Sequence, residues 1–184
     1  MGKSTAAAAF RRACIPVFDA DAAVHQLQAR GGRAVRVIEA AFPGAVRDGA
    51  VDRMALRQAV LGNPDALARL EGILHPMVQQ AERAFVARAR RRGNRAVVLD
   101  IPLLLETGGD ARVDRVVVVS APRSVQLQRV RGRRRMNAAD IAAVIARQMP
   151  DAEKRRRADV IVRTGLSRHH ALHAISRLIR EVLA

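Results

Sequence analysis

Arg115-Val116-Val117-Val118-Val119-Ser120 is the stretch on which the fold turns. Four valines follow one another, and no polar residue marks a wet face. A half-buried antiparallel strand alternates apolar and polar side chains. An unbroken β-branched run belongs instead to a strand covered on both faces, as in a parallel sheet between helices. Outward from it lie similar runs. Ala96–Ile101 holds Val97, Val98 and Leu99, with Asp100 at its carboxyl end, and Val160–Val162 follows Asp159. Ile15–Asp19 is a shorter apolar strand with Pro16 near its start. Helical stretches separate all four. The expected fold class is α/β, a three-layer parallel sheet with helices on both faces.

The helices announce themselves by their ends. Ser4–Ala13 is alanine-rich and free of glycine and proline. A helix follows Asp19 and Asp21 to about Arg30, where Gly31-Gly32 breaks it, and Ala34–Phe42 is stopped by Pro43-Gly44. Asp52 caps a helix over Arg53–Leu61. Asn63-Pro64 is an N-cap followed by proline in the first helical position, opening a long helix to about Arg92. Pro76 falls inside it and is expected to kink or divide it. Further helices are expected from Pro122 to about Val130, from Ala138 to Gln148 behind Asn137, and from Ser167 to Leu183. The chain reads as a single domain over residues 1–184, with a helical insertion near residues 50–92.

Composition narrows the function. Of 184 residues, 49% are apolar, enough for a core, which argues against global disorder. The lone cysteine, Cys14, excludes an intramolecular disulfide and a four-cysteine zinc site. No run of 18 apolar residues exists, so no ordinary membrane span is expected, and the chain reads as a cytoplasmic globular protein. The net charge is +16, and all basic residues but Lys3 and Lys154 are arginine. Arginine's planar fork suits phosphate, so phosphorylated ligands come first and nucleic acid second. Tryptophan and tyrosine are absent, which removes the usual stacking platforms of single-strand binders. Arg88, Arg90, Arg91, Arg92 and Arg95 close a helix, where cations suit the negative end of the dipole. Arg129, Arg131, Arg133, Arg134 and Arg135 lie between two predicted helices, a better place for function.

The chain opens Met1-Gly2-Lys3-Ser4-Thr5 and passes directly into a helix. Gly-Lys-Ser/Thr ends the phosphate-binding loop G-x-x-x-x-G-K-[ST]. In that loop, backbone amides at a helix N-terminus wrap phosphate oxygens, the lysine reaches the outer phosphates and the hydroxyl ligates Mg²⁺. The loop's first glycine and the strand before it do not precede this match. The expectation is that a central strand of roughly 10–15 residues with half a loop is missing upstream, and that Met1 is an internal loop residue. Loss of that strand would leave inner strands with unsatisfied amides and carbonyls, so the chain as written is expected to be poorly stable and inactive.

Several segments together resemble the dephospho-CoA kinases. They are Gly2-Lys3-Ser4-Thr5, Val17-Phe18-Asp19-Ala20-Asp21, Ile73-Leu74-His75-Pro76 and Ile101-Pro102-Leu103-Leu104-Leu105-Glu106. Val125–Arg129, Arg147-Gln148-Met149, Glu153-Lys154 and Ala158-Asp159-Val160-Ile161 continue the set in the family's order and spacing. The resemblance implies a P-loop kinase fold, with residues 50–92 as acceptor-substrate insertion and residues 129–157 as lid. It implies transfer of the ATP γ-phosphoryl group, with Mg²⁺, to the ribose 3′-hydroxyl of dephospho-CoA. Gly2, Lys3, Ser4 and Thr5 would hold the nucleotide. Asp21 matches the carboxylate that orients or deprotonates the hydroxyl; its plainer reading is a helix N-cap, with Asp19 a loop-fixing partner. Ser4 and Asp100 match metal-side positions. Arg129 and Arg133 match arginines that neutralise the transferring phosphate. His75, Arg57 and Glu106 match the acceptor side; His75 also reads as a core or capped histidine, and Glu106 as a structural cap.

The chain departs from the family in three places. The loop is incomplete, Gly132–Arg135 is unusually basic, and Arg163-Thr164-Gly165 stands where Asn-Gly is usual. The implied partners are the two small substrates, without nucleic acid or membrane, for a monomer. On the residues alone, another P-loop small-molecule kinase and an arginine-rich nucleic-acid-binding module stay open.

Overall fold

The computed structural model describes residues 2–122, 125, 149–165 and 167–184. The chain divides into two compact units, one formed by Met1–Val17 with Asp100–Ala184, the other by Phe18–Leu99. Elements are numbered below among the described residues.

In the first unit, α1 (Lys3–Arg12) buries Ala6, Ala7, Ala9 and Phe10 and packs on the terminal helix α7 (Arg168–Leu183). Ser167 caps α7 by accepting from the His170 amide at 3.0 Å. Ala171, Ile175 and Leu178, spaced at one face of a helix, are its buried stripe. The valine run forms β5 (Val117–Ser120), paired in parallel with β6 (Val160–Arg163) in the register Val117 to Val160 through Ser120 to Arg163. Asp159 fixes that register. Its Oδ2 accepts from the Val116 amide at 2.7 Å, while its own amide donates to the Val116 carbonyl at 3.0 Å. Leu105, Val116 and Val118 form a core with Leu104, Val113, Met149 and Ala158 around them. A 3₁₀ turn (Gly109–Arg112) and α6 (Asp151–Arg156) complete the described part.

The second unit's segment is bounded by two strands that pair with each other, β1 (Val17–Asp19) and β4 (Val98–Asp100). Between them run α2 (Ala20–Gln28), α3 (Val35–Ala41), the two-residue strands β2 (Val46–Arg47) and β3 (Ala50–Val51), α4 (Arg53–Val60) and α5 (Pro64–Arg91). Caps stand where the sequence places them for α4 and α5. Asp52 Oδ1 accepts from the Met54 and Ala55 amides, and Asn63 Oδ1 from the Ala66 amide. Helices α2, α3 and α4 all pack on α5, over a core that includes Leu27, Ile38, Phe42, Leu56 and Leu70.

Three outcomes differ from the sequence reading. Pro76 does not divide α5, which runs unbroken from Pro64 to Arg91. An interior proline costs about 3 kcal/mol. The apolar stripe continues across it, however: Ile73 and Leu74 before it, and Met77 and Val78 after it, pack on the same core. An antiparallel hairpin, β2–β3, turns at Asp48-Gly49 where no strand was expected. Among the described residues these strands occur as separate pairs, β1–β4 and the parallel β5–β6. The expected helices from Pro122 and over Ala138–Gln148 lie, but for Pro122 and Val125, outside the described residues.

Candidate active site

The front of the chain builds the most chemically distinctive corner. Gly2 is the residue before α1 and adopts a left-handed backbone, φ 98°, ψ −6°. Its carbonyl accepts the first helical bond, from the Ala6 amide at 3.0 Å. No side chain caps α1, so the amides of its first turn, including Lys3, Ser4 and Thr5, have no intrahelical acceptor. Such an end attracts anions through both its N–H groups and its dipole. Lys3 Nζ lies 2.8 Å from Oδ1 of Asp100, the last residue of β4. The carboxylate is 8% exposed and the lysine 38%. A buried charge is tolerated when it is paired, and Lys3 is the partner of this one. Ser4 is exposed beside Lys3 and Thr5 half-buried.

Glu106 sits elsewhere in the same unit, in a tie of its own. Its Oε1 accepts from Lys154 Nζ at 2.6 Å and from the Met149 amide at 3.0 Å, while Oε2 is buried without a partner. Burial pushes the carboxyl pKa up, but Lys154 and the backbone amides outweigh it, so the net shift is downward. Arg157 runs parallel to this tie, donating to Asp110 Oδ2 at 2.6 Å and to the Leu105 carbonyl at 3.3 Å. Ser120 Oγ donates to Asp151 Oδ2 at 2.8 Å. Together these bonds moor α6 to the segment after β4 and to β5. Glu106 is thus a structural anchor through one oxygen.

The second unit carries Asp21, Arg57 and His75. Asp19, not Asp21, caps α2: its Oδ1 accepts from the Ala22 amide at 3.0 Å. The capping reading of Asp21 therefore falls, and its carboxylate stands exposed in the first turn of α2. His75 is exposed on α5, so its reading as a core histidine falls too. Arg57 is exposed near the end of α4. Arg129 and Arg133 lie outside the described residues.

Sequence reasoning named Lys3 and Asp100 separately but not their pairing, and it missed the bond between Lys154 and Glu106. Each pair joins residues far apart in the chain, and no local pattern reports such a meeting.

The dephospho-CoA kinase (CoaE) family model matches residues 1–168. The dephospho-CoA kinase of Paramagnetospirillum magneticum is 60% identical over 155 residues, covering 84% of this chain and 73% of that protein. That of Gluconobacter oxydans is 50% identical over 187 residues, covering 98% and 93%. Among solved structures, TT1252 from Thermus thermophilus superposes with a TM-score of 0.83 at 32% identity, over 100% of this chain and 92% of that one. The dephospho-CoA kinase from Campylobacter jejuni shares the fold, with a TM-score of 0.66 at 22% identity over 98% and 91% of the two chains.

Proposed function

We propose how this chain, which belongs to the dephospho-CoA kinase family, transfers the γ-phosphoryl group of ATP to the ribose 3′-hydroxyl of dephospho-CoA, the last step of coenzyme A synthesis. The observation that carries the proposal is the corner formed by left-handed Gly2, the uncapped start of α1 and Lys3 resting on Asp100.

ATP enters with its phosphates against the amides of Lys3, Ser4 and Thr5. Lys3 leaves Asp100 and bridges the β- and γ-phosphates, where the charge of the transition state develops. The γ-phosphorus bond to the β-phosphate oxygen breaks as a bond to the 3′-oxygen forms, and the hydroxyl proton passes to the Asp21 carboxylate. Asp21 suits this role because Asp19 already caps α2, leaving its neighbour's carboxylate exposed and uncommitted to the helix end. Arg129 and Arg133, in a lid over residues 129–157, neutralise the moving phosphoryl group. His75 and Arg57, in the helical acceptor-side insertion over residues 50–92, meet dephospho-CoA. Glu106 Oε1 is committed to Lys154, so only Oε2 is left for an acceptor donor.

Magnesium fits the donors present. It prefers oxygen ligands, keeps several waters and needs only one or two protein groups besides the phosphates. The Ser4 hydroxyl would hold it directly and Asp100 through water. When bound, it neutralises phosphate charge. The protein acts as a cytoplasmic monomer on two small molecules, without nucleic acid or membrane. No described helix is long and apolar enough to cross a membrane.

The test is product mapping. The protein is incubated with γ-labelled ATP, magnesium and dephospho-CoA. Label on the 3′-position, giving coenzyme A and ADP, is expected in place of the inactivity anticipated from the incomplete loop, because the corner of Gly2, Lys3 and Asp100 is formed in this chain. Label on any other hydroxyl, or on a nucleotide or sugar offered in competition, contradicts the proposal.

A further inference from the structure

We infer that Thr164 is a positioning residue for the phosphate cradle, acting through Gly2. This rests on the reading of α1 as the ATP site. A Cβ built on Gly2 would lie 2.9 Å from Thr164 Cγ2 and 3.2 Å from Val119 Cγ1. The Thr164 methyl therefore fills the space behind the Gly2 backbone and leaves room for glycine alone.

Thr164 is itself fixed. Its amide donates to the Ser120 carbonyl at 2.8 Å and its hydroxyl to the same oxygen at 3.2 Å. A β-branched side chain has few rotamers, and a hydroxyl turned to Ser120 settles which way the methyl faces. The next residue is packed as closely, since a Cβ on Gly165 would lie 2.3 Å from Pro122 Cδ. The end of β6 is thus a close-packed stop. It holds Gly2 in its left-handed conformation and sets the aim of the first amides of α1 and of Lys3. A phosphate cradle misplaced by a fraction of an ångström loses much of its effect.

Thr164 departs from the family's usual asparagine, and a role through hydrogen bonding would rest on its hydroxyl. The geometry points instead to its methyl. The two roles predict opposite rankings of conservative variants. Thr164→Ser keeps the hydroxyl and loses the methyl; Thr164→Val keeps the methyl and loses the hydroxyl.

The experiment measures KM for ATP, KM for dephospho-CoA, ADP affinity by calorimetry and melting temperature. It covers both variants, Gly2→Ala and the double variant Gly2→Ala with Thr164→Ser. Thr164→Ser is expected to raise KM for ATP and weaken ADP by about fivefold, with KM for dephospho-CoA unchanged. Thr164→Val is expected within about twofold of the parent. The double variant is expected to be less impaired than the product of its single effects, since the serine removes the methyl that an alanine at position 2 would strike. Valine worse than serine, serine equal to the parent, or strictly multiplying effects would each overturn the inference. A parent chain that binds ADP with this ranking but leaves dephospho-CoA unphosphorylated sinks the proposed function and leaves the inference standing. A chain that binds no adenine nucleotide overturns both.

Discussion

Lys3 and Asp100 meet at 2.8 Å, a lysine from the first turn of α1 against a carboxylate at the carboxyl end of β4. The pair joins the lysine of the proposed cradle to a buried anion. Asp100→Asn removes the resting partner without changing shape. Its expected result is a loss of about 1–3 kcal/mol in chemical denaturation, since a charged hydrogen bond to a buried group is lost. A parallel fall in magnesium-dependent turnover is expected, while stability unchanged from the parent would contradict the pairing.

In the proposed mechanism Asp21 takes the hydroxyl proton while Asp19 caps α2. Asp21→Asn is expected to lower kcat by about 10²–10⁴ with KM for ATP nearly unchanged, because a group acting on the hydroxyl proton is lost. Asp19→Ala removes the cap of α2 and is expected to cost about 0.5–2 kcal/mol of stability. Steady-state kinetics and urea melts on both variants check the division. The opposite pattern, with Asp21→Asn unstable and active, would reverse the assignment.

The sequence shows why these two carboxylates are hard to tell apart. They stand two positions apart before the same helix, and either can reach its free amides; only the extended backbone at Asp19, φ −112° and ψ 108°, decides. Valine runs, by contrast, reveal their strands because few structures other than a covered strand tolerate them. Caps at Asp52, Asn63 and Ser167 were legible for the same local reason. Pro76 does not divide α5 because its cost is local while the burial that offsets it comes from the rest of the second unit. The β2–β3 hairpin was hidden by its length, since two residues per strand carry no periodicity. Lys3–Asp100 and Lys154–Glu106 are tertiary facts with no local signature.

Glu106 links stability to acid. Its carboxyl titrates lower in the folded chain than its ordinary value of 4.5, as Lys154 and backbone amides outweigh the cost of burial. The unfolded chain therefore binds this proton first as the pH falls. The tie contributes fully above pH 4.5 and is lost as the pH drops through the lower folded value. Glu106→Gln is expected to be less stable than the parent at neutral pH and to show a shallower loss between pH 5 and 3, about the range where free carboxylates titrate. Denaturant midpoints across that range check it. Parallel curves for the two proteins would show that the carboxylate carries no such linkage.

His75 is exposed on α5, so removing its ring should cost little fold. His75→Ala is expected to change stability by less than about 0.5 kcal/mol. It should raise KM for dephospho-CoA and leave KM for ATP alone. An unchanged acceptor KM would remove His75 from the acceptor side.

The central claim is that the front of α1, with Lys3, is the seat of the ATP phosphates. Calorimetric titration of ATP with magnesium into the parent and into Lys3→Met tests it most directly. The account predicts saturable one-site binding by the parent and a loss of at least about tenfold in affinity for the variant, the cost of one charged contact to phosphate. Equal affinity in the two proteins would contradict it.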